Sequence, residues 1–385
     1  MSWIRPVERG WVVREEVPGP DVDEFAEPDR VVAALHRRHE GTLLAVQHPH
    51  RTPPAIEQGL GLLDALPHAR STLSVLLHTA YRAVTDVVAP YEVDGPDGTA
   101  CGLLCLVDPA AVDADGLVRV RHSEQVYPEI VAERARVLAG LGYATSAAML
   151  VPVAERDTLT AAVRAAVAGE EPVVSTVDSG GRRHRLWLLG PGPRRETVLA
   201  EAGAHPLMVA DGNHRVAAAA TARLTGLLAL VTAGPALRVG AFHRVLVGTG
   251  LTAAALAEAW RRIGLSVAET PSAERPTHTG TVVVRCPEAT LRVELPAGGE
   301  DHALVEEVLV RRALGVDPEG PNVRPLPDGR EPPSDADAVL LLAPVPLADV
   351  LAVHAAGERM PRKSTYFTPK PRSGLLLAEL RGSRP

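Results

Sequence analysis

Several residue types are scarce in this chain of 385 residues, and each scarcity narrows its class. Lysine occurs only at positions 363 and 370, cysteine only at 101, 105 and 286, and aromatic residues make up 3% of the sequence. So few cysteines, in odd number, argue against a disulfide framework. Cys101 and Cys105 lie in an apolar run, which favours buried strand residues over a metal site. With few aromatic anchors, the core must consist mainly of alanine, valine and leucine.

The chain also lacks an excess of positive charge and lacks long apolar runs. Its formal net charge is −7, whereas proteins that bind nucleic acid usually present a basic face, so we expect no nucleic-acid partner. No stretch reaches the roughly 20 apolar residues of a membrane-spanning helix. The amino-terminal segment has no apolar run of signal-peptide length. We therefore expect a cytoplasmic protein with no membrane partner.

Helical and strand patterns alternate along the chain, which predicts an α/β (α+β) fold. After an irregular first fifty residues, apolar spacing predicts a helical pair over 55–66 and 71–84, a buried strand over 100–108 and a helix over 128–142. A chain of this length is expected to form more than one domain. We place domains at 1–99 (an extension with the helical pair), 100–235 (a phosphate-binding core) and 236–385 (a second α/β lobe).

The segment Asp211-Gly212-Asn213-His214-Arg215 joins a predicted strand to a predicted helix. Helix starts carry unpaired amides and partial positive charge, so they bind anions. Gly212 permits a tight turn, Arg215 suits a phosphate, and His214 can donate to it or carry a proton. The alternative is ordinary capping by Asp211 or Asn213, with the histidine and arginine in solvent. Walker, dinucleotide-binding and zinc-hydrolase motifs do not occur in the sequence.

A second polar cluster, His122-Ser123-Glu124, lies between a predicted strand and the helix that starts at Pro128. A carboxylate at such a strand end could deprotonate a hydroxyl, and His122 could assist or bind phosphate. The residues alone favour the simpler interpretation, a surface loop with solvated charges.

A third cluster, near the carboxyl end, contains both lysines of the chain. It includes Lys363, Ser364, Thr365, Lys370 and Arg372, with prolines that stiffen the loop. Cations and hydroxyl donors suit phosphates or a carboxylate, and a compact ammonium differs in function from the arginine used elsewhere in the chain. A basic surface loop is the alternative.

Two of these segments, ADGNHR (210–215) and MPRKSTYFTPKPRSGLL (360–376), resemble the bacterial family of unknown function numbered 1015. The first segment, with the order of His122, Glu124 and the helix from Pro128, also resembles free serine kinases of the ParB/sulfiredoxin-like fold. The resemblance implies a ParB/sulfiredoxin-like core with an additional α/β lobe. It also implies phosphoryl transfer from ATP or ADP to the hydroxyl of free L-serine or a similar small acceptor.

In that resemblance, Glu124 is the catalytic base, Asp211 positions Mg²⁺ or the hydroxyl, and His214 assists catalysis. The nucleotide and its phosphates would be bound by residues of all three clusters: His122, Gly212, Asn213, His214, Arg215, Lys363, Ser364, Thr365, Lys370 and Arg372. Asn213 and Ser123 depart from the kinase pattern, which carries histidine and an adjacent His-Glu pair. A non-catalytic ParB-like nucleotide switch or a pseudo-enzyme is therefore the alternative function. A DNA-partitioning role is disfavoured, because no basic helix-turn-helix accompanies the negative charge.

Overall fold

The computed structural model describes residues 2–22, 28–38, 41–153, 157–233, 237–355 and 357–382. Contacts divide the chain into two compact units. The larger unit comprises Met1–His122, Val126–Leu237 and Thr368–Pro385, and the smaller comprises Ser123–Gln125 and Arg238–Phe367. The domain boundary predicted near residue 235 lies outside the described residues.

The strands formed by the described residues, numbered in chain order, are β1 (Ile4–Arg5), β2 (Val7–Val13), β3 (Tyr81–Val87), β4 (Ala89–Gly95), β5 (Gly98–Val107), β6 (Val120–His122), β7 (Tyr143–Ala144), β8 (Ala148–Pro152), β9 (Val174–Val177), β10 (Arg183–Leu186), β11 (Leu207–Asp211), β12 (Leu227–Ala233), β13 (Arg238–Gly240), β14 (Phe242–Val247), β15 (Val267–Glu269), β16 (Thr281–Arg285), β17 (Thr290–Glu294), β18 (Val323–Pro327), β19 (Ala336–Leu341), β20 (Tyr366–Thr368) and β21 (Leu376–Glu379).

The helices formed by the same residues are α1 (Pro28–Arg37), α2 (Leu43–Gln47), α3 (Pro53–Glu57), α4 (Leu66–Thr79), α5 (Pro128–Leu141), α6 (Leu159–Ala166), α7 (Pro193–Ala202), α8 (Asn213–Thr221), α9 (Ala253–Arg262), α10 (Asp301–Leu304) and α11 (Leu347–Ala355). A 3₁₀ turn covers Pro49–Arg51, and a π-helical segment, Val305–Arg312, continues α10. The mixture of helices and sheets confirms the α/β class. None of the helices in the described ranges has the length and apolar character required to cross a membrane.

A nine-stranded sheet forms the centre of the larger unit. Its order is β6-β11-β8-β12-β5-β4-β10-β9, and β1 also pairs with β5. The middle strand β5 is buried along most of its length, as the apolar run over 100–108 predicts. Cys105 on this strand is fully buried, and burial raises the pKa of its thiol to about 12. All three cysteines are free, so Cys101 and Cys105 are apolar packing residues, as predicted.

The sheet brings strand ends and helix starts of the larger unit together. β6 runs parallel to β11, and β11 runs antiparallel to β8, so the ends that carry His122 and Asp211 are adjacent. Helix α5 begins with Pro128 at its first turn and ends at Gly142, whose φ of 76° is left-handed. Helix α5 packs against α8. This arrangement holds α8 in place behind the end of β11.

Three secondary-structure predictions near the amino terminus were wrong. The helix expected over 55–66 forms only in part, because α3 ends at Glu57 and α4 begins at Leu66. Residues 81–84 were expected to continue a helix but begin strand β3, because β3 pairs with β2. The segment expected to be irregular supplies β2, which also pairs with β21 near the carboxyl end. These three strands and β7 form a four-stranded sheet of the larger unit. Distant pairing partners outweigh the local helical spacing here.

The smaller unit contains an antiparallel six-stranded sheet in the order β15-β17-β16-β19-β14-β18. Helix α9 and the π-helical segment bury their apolar sides in one core with this sheet, and Trp260 is its largest fully buried side chain. The Trp260 indole donates a hydrogen bond to the Leu309 carbonyl at 3.0 Å. β16 and β17 pair as an antiparallel hairpin.

Candidate functional site

The junction between β11 and α8 is shaped by an irregularity in the strand and by one glycine. The pairing register with β8 shifts between Val209 and Asp211, as in a β-bulge. Gly212 then adopts a left-handed φ of 91° and is the N-cap of α8. Because glycine has no side chain, α8 starts without a side-chain cap. The N-cap position of α8 thus falls on Gly212 and not on Asp211 or Asn213.

Arg215 is buried, with 8% of its surface exposed, so the alternative interpretation of a solvated arginine was wrong. Its Nη1 donates to the Ser146 hydroxyl at 2.7 Å and to the Ala147 carbonyl at 3.0 Å. Its Nη2 donates to Oδ2 of Asp211 at 2.6 Å. A methyl group added at Gly212 would lie 2.8 Å from Nε of this guanidinium. Arg215 therefore packs against the turn at Gly212 and stabilises it.

Asp211 also binds the ammonium of Lys370, which lies 2.5 Å from its Oδ1. The two side chains are 11% and 22% exposed, respectively. One carboxylate thus holds two cations, one on each oxygen. The pair explains why a compact lysine occurs at position 370 of a chain that otherwise relies on arginine. It also leaves Asp211 poorly suited to a metal ion, because a third cation would be repelled by the two already present.

Two histidines flank the same junction. His122 at the end of β6 places Nδ1 3.1 Å from Oδ1 of Asn213. The Tyr127 backbone amide donates to Nε2 of His214 at 3.1 Å, and the two rings stack with centroids 5.8 Å apart. A ring nitrogen that accepts a hydrogen bond carries no proton, so Nε2 of His214 is unprotonated in this arrangement.

Arg372 belongs to a neighbouring network of the larger unit rather than to the α8 start. Its backbone amide donates to the Tyr91 hydroxyl at 3.2 Å, and its Nη1 donates to the Thr176 hydroxyl at 3.1 Å. The Tyr91 hydroxyl lies 2.7 Å from Nδ1 of His184, whose Nε2 lies 3.1 Å from a carboxylate oxygen of Asp178. Burial lowers the pKa of His184. This buried chain fixes the backbone that follows Lys370.

In the smaller unit, Glu124 lies in a cradle made by the segment 363–365. Its Oε2 accepts from the Lys363 amide at 3.2 Å, and its Oε1 accepts from the Ser364 amide at 3.3 Å. Oε1 also accepts from the Thr365 amide at 3.1 Å and from the Thr365 hydroxyl at 2.8 Å. Lys363 adopts a left-handed φ of 51°. A left-handed residue in such a turn lets successive backbone amides point at one anion, an arrangement known as a nest. Glu124 is thus an ordered carboxylate and not part of a solvated loop.

The predicted residues therefore fall into two groups. The larger unit gathers the α8-start site, defined as His122, Asp211, Gly212, Asn213, His214, Arg215 and Lys370. The smaller unit gathers the Glu124 cradle, defined as Glu124, Lys363, Ser364 and Thr365. Arg244 supports the cradle, because its Nη1 donates to the Lys363 carbonyl at 3.1 Å. The sequence did not reveal Ser146, Tyr91 or Arg244, because their partners lie far along the chain and no local motif marks them.

Among the residues that the structure describes, no group of three or more histidine, cysteine, aspartate or glutamate side chains could hold a metal ion. The metal-binding role of Asp211 that the resemblance implies stays a prediction.

Fold and site together define an α/β protein with an anion-suited helix start and an ordered carboxylate. A family model described as "Protein of unknown function (DUF1015)" matches residues 34–294. The chain belongs to this family. A comparison with curated proteins finds no match.

Three solved structures are similar at low sequence identity. A free serine kinase in complex with AMP is 15% identical, with 71% of this chain and 92% of that chain covered and a TM-score of 0.40. A conserved hypothetical protein from Pyrococcus furiosus is 14% identical, with coverages of 70% and 93% and a TM-score of 0.40. SbnI with a carboxy-terminal truncation, from Staphylococcus aureus, is 15% identical, with coverages of 71% and 87% and a TM-score of 0.41. Serine and AMP belong to the name of the first of these structures, and a similarity of this size does not transfer them to this chain.

Proposed function

We propose that the protein is a small-molecule kinase that transfers a phosphoryl group from ATP or ADP to the hydroxyl of free L-serine or a similar small acceptor. The α8-start site is the observation that carries the proposal. There the start of α8, the ammonium of Lys370 and two imidazoles come together. Helix amides and cations are the groups that bind phosphate oxygens.

In the proposed reaction, the acceptor hydroxyl oxygen attacks the terminal phosphorus of the nucleotide. A bond between that oxygen and phosphorus forms while the bond from phosphorus to the bridging oxygen breaks, and its electron pair leaves with the nucleotide. The hydroxyl proton passes to the Glu124 carboxylate. ATP then gives ADP, ADP gives AMP, and serine gives O-phosphoserine. Such catalysis depends mainly on positioning and on charge stabilisation.

The side chains of the α8-start site would stabilise the charge of the transferred group. Lys370 is the cation best placed to exchange partners, because its side chain is 22% exposed whereas that of Arg215 is 10% exposed. Arg215 has three internal partners and would act by keeping Asp211 and Gly212 in place. A phosphate that approaches Lys370 would compete with Asp211 for the ammonium.

Magnesium ions ordinarily accompany nucleotides and neutralise phosphate charge. Because Asp211 already binds two cations, its carboxylate fits a resident metal ion poorly. Any Mg²⁺ in the proposed reaction is therefore treated as part of the nucleotide substrate. We also propose that residues 100–235 form a ParB/sulfiredoxin-like core.

A non-catalytic nucleotide switch or pseudo-enzyme is the second candidate. It is favoured by the saturation of Asp211, whose two oxygens are both engaged by cations. In that case the α8-start site would bind nucleotide, Lys370 would exchange between Asp211 and phosphate, and no acceptor would be phosphorylated. Glu124 would then serve only to order the segment 363–365.

The test is incubation with Mg²⁺, either ATP or ADP, and a panel of hydroxyl amino acids, followed by mass spectrometry of the amino acids. We expect phosphorylated serine or a close analogue, and we expect Glu124→Gln to abolish the product. Glu129→Gln, at an exposed position in the first turn of α5, is the matched control and should retain activity. Tight nucleotide binding with no phosphorylated acceptor would instead favour the switch.

A further inference from the structure

The hydrogen bonds of Glu124 are distributed unequally between its two oxygens. Oε1 accepts three, from the Ser364 amide, the Thr365 amide and the Thr365 hydroxyl, at 2.8 to 3.3 Å. Oε2 accepts one, from the Lys363 amide at 3.2 Å. A carboxylate oxygen has two lone pairs in its plane, so Oε1 is saturated whereas Oε2 retains acceptor capacity. A proton taken up by this group therefore goes to Oε2.

Buried Arg244 holds the opposite side of the same two peptide groups. Its Nη2 donates to the Arg362 carbonyl at 3.2 Å, and its Nη1 donates to the Lys363 carbonyl at 3.1 Å. The amide of the peptide group formed by residues 362 and 363 points to Glu124, and so does the amide of the next peptide group, formed by residues 363 and 364. In each of these peptide groups the carbonyl oxygen accepts from the Arg244 guanidinium and the N–H donates to the Glu124 carboxylate. The two charges therefore polarise the peptide group in the same direction.

Arg244 is itself fixed. It is 2% exposed, and its Nε donates to Oε1 of Glu306 at 2.8 Å on the π-helical segment. Glu306 therefore orients the plane of the guanidinium, and the guanidinium orients two peptide groups through their carbonyls. The amides of these peptide groups then orient the Glu124 carboxylate. The Ser364 hydroxyl closes the turn by donating to the Pro361 carbonyl at 2.7 Å. Two groups thus link Glu306 to Glu124: the Arg244 guanidinium and the peptide groups that it holds.

We propose that Arg244 and Thr365 are positioning residues for Glu124, which together orient its carboxylate so that Oε2 receives the acceptor proton. The inference deepens the proposed function and rests on it. It also changes the expected role of segment 363–365, whose backbone amides would hold the base and not a phosphate. The same amides cannot serve both anions at once.

The two roles of the segment predict different kinetic effects for Thr365→Val. This substitution removes the hydroxyl donor but keeps the amide and a β-branched side chain. If Thr365 positions the base, kcat falls about tenfold, the loss expected for one charge-assisted hydrogen bond, while KM for the nucleotide is unchanged. If the segment binds phosphate, KM for the nucleotide rises with little change in kcat, and the inference is overturned.

Two further variants separate positioning from general damage. Thr365→Ser restores the hydroxyl and should recover most of the lost kcat. Thr281→Val removes a threonine hydroxyl that donates to a glutamate, Glu294, at 3.0 Å on an exposed part of β16, and should behave as wild type. Failure of Thr365→Ser to recover activity would contradict the assignment.

Arg244→Lys keeps the charge but cannot hold two carbonyls and Glu306 in one plane. We expect it to lower kcat more than Thr365→Val does, again without a change in nucleotide KM. Circular dichroism would identify an Arg244→Lys protein that does not fold. In that case the kcat and nucleotide KM of Thr365→Val alone test the inference. Unchanged kcat in a folded Arg244→Lys protein would count against the inference.

Hydrogen exchange distinguishes failure of this inference from failure of the proposed function. The amides of residues 363–365 should exchange slowly in the full-length protein and much faster in Glu124→Ala, whether or not the protein is a kinase. Unaltered exchange in Glu124→Ala overturns the inference. Faster exchange in a protein that transfers no phosphoryl group supports the cradle as the device that orders Glu124 and removes the kinase proposal alone.

Discussion

Substitution of Gly212 by alanine tests the construction of the α8-start site without reference to any ligand. Gly212 has a φ of 91°, and an added methyl group would meet Nε of Arg215 at 2.8 Å and Nη2 at 3.0 Å. The left-handed conformation costs alanine roughly 1–2 kcal/mol. Displacing the guanidinium would weaken its hydrogen bond to Asp211, which is worth roughly 1.5–3 kcal/mol. We therefore expect Gly212→Ala to destabilise the protein by about 2.5–5 kcal/mol.

Gly169→Ala is the matched control for the backbone contribution. Gly169 lies in the larger unit, has a φ of 78°, and has nothing within 4 Å of an added methyl group. Its substitution should cost only the roughly 1–2 kcal/mol of left-handed strain. The gap between the two variants then measures the contact with Arg215.

The assay is urea unfolding followed by circular dichroism, with the unfolding free energy obtained by linear extrapolation. We expect an unchanged slope and a lower midpoint for Gly212→Ala. A Gly212→Ala protein that is no less stable than Gly169→Ala would refute the packing of the guanidinium beneath the turn. Because the measurement needs no nucleotide, that result would be independent of the proposed activity.

Three further predictions concern other buried polar groups. Lys370→Met and Asp211→Asn should each destabilise the protein by about 2 kcal/mol, and urea unfolding of the double variant should show less than the sum, because the two groups share one ion pair. Burial lowers the pKa of His302 from 6.5 to about 3. The free energy of unfolding should therefore be highest above pH 6.5 and should fall at lower pH, by about 2 kcal/mol at pH 5. A His302→Gln protein that keeps the same pH dependence would contradict this. Tyr91→Phe removes the partner of His184 and should cost about 1–3 kcal/mol in the same assay, and a stability equal to wild type would show that the buried chain is dispensable.

Much of the secondary structure follows from local patterns. The helix from Pro128 to Leu141 was predicted from its early proline, its apolar spacing and the glycine at its end, and β5 was predicted from its apolar run. The strand at Tyr81–Val87 was not, because its partner strand β2 begins more than seventy residues earlier. Local spacing carries no information about such pairing.

The candidate site shows the same division between local and distant information. The turn at Gly212 and the importance of Lys370 are visible in the sequence, since glycine and lysine are informative residue types there. The burial of Arg215 is not visible, because its partner Ser146 lies 69 positions away. The cradle of Glu124 joins positions about 240 residues apart, so its donors could not be assigned before the fold was known.

The most direct test of the kinase proposal is a ³¹P NMR time course of the protein with Mg²⁺, ATP and L-serine. We predict a phosphomonoester resonance of O-phosphoserine that grows in step with ADP, with the same product formed from ADP in step with AMP if ADP is the donor. Neither donor giving that resonance, or inorganic phosphate as the sole product, would contradict the account.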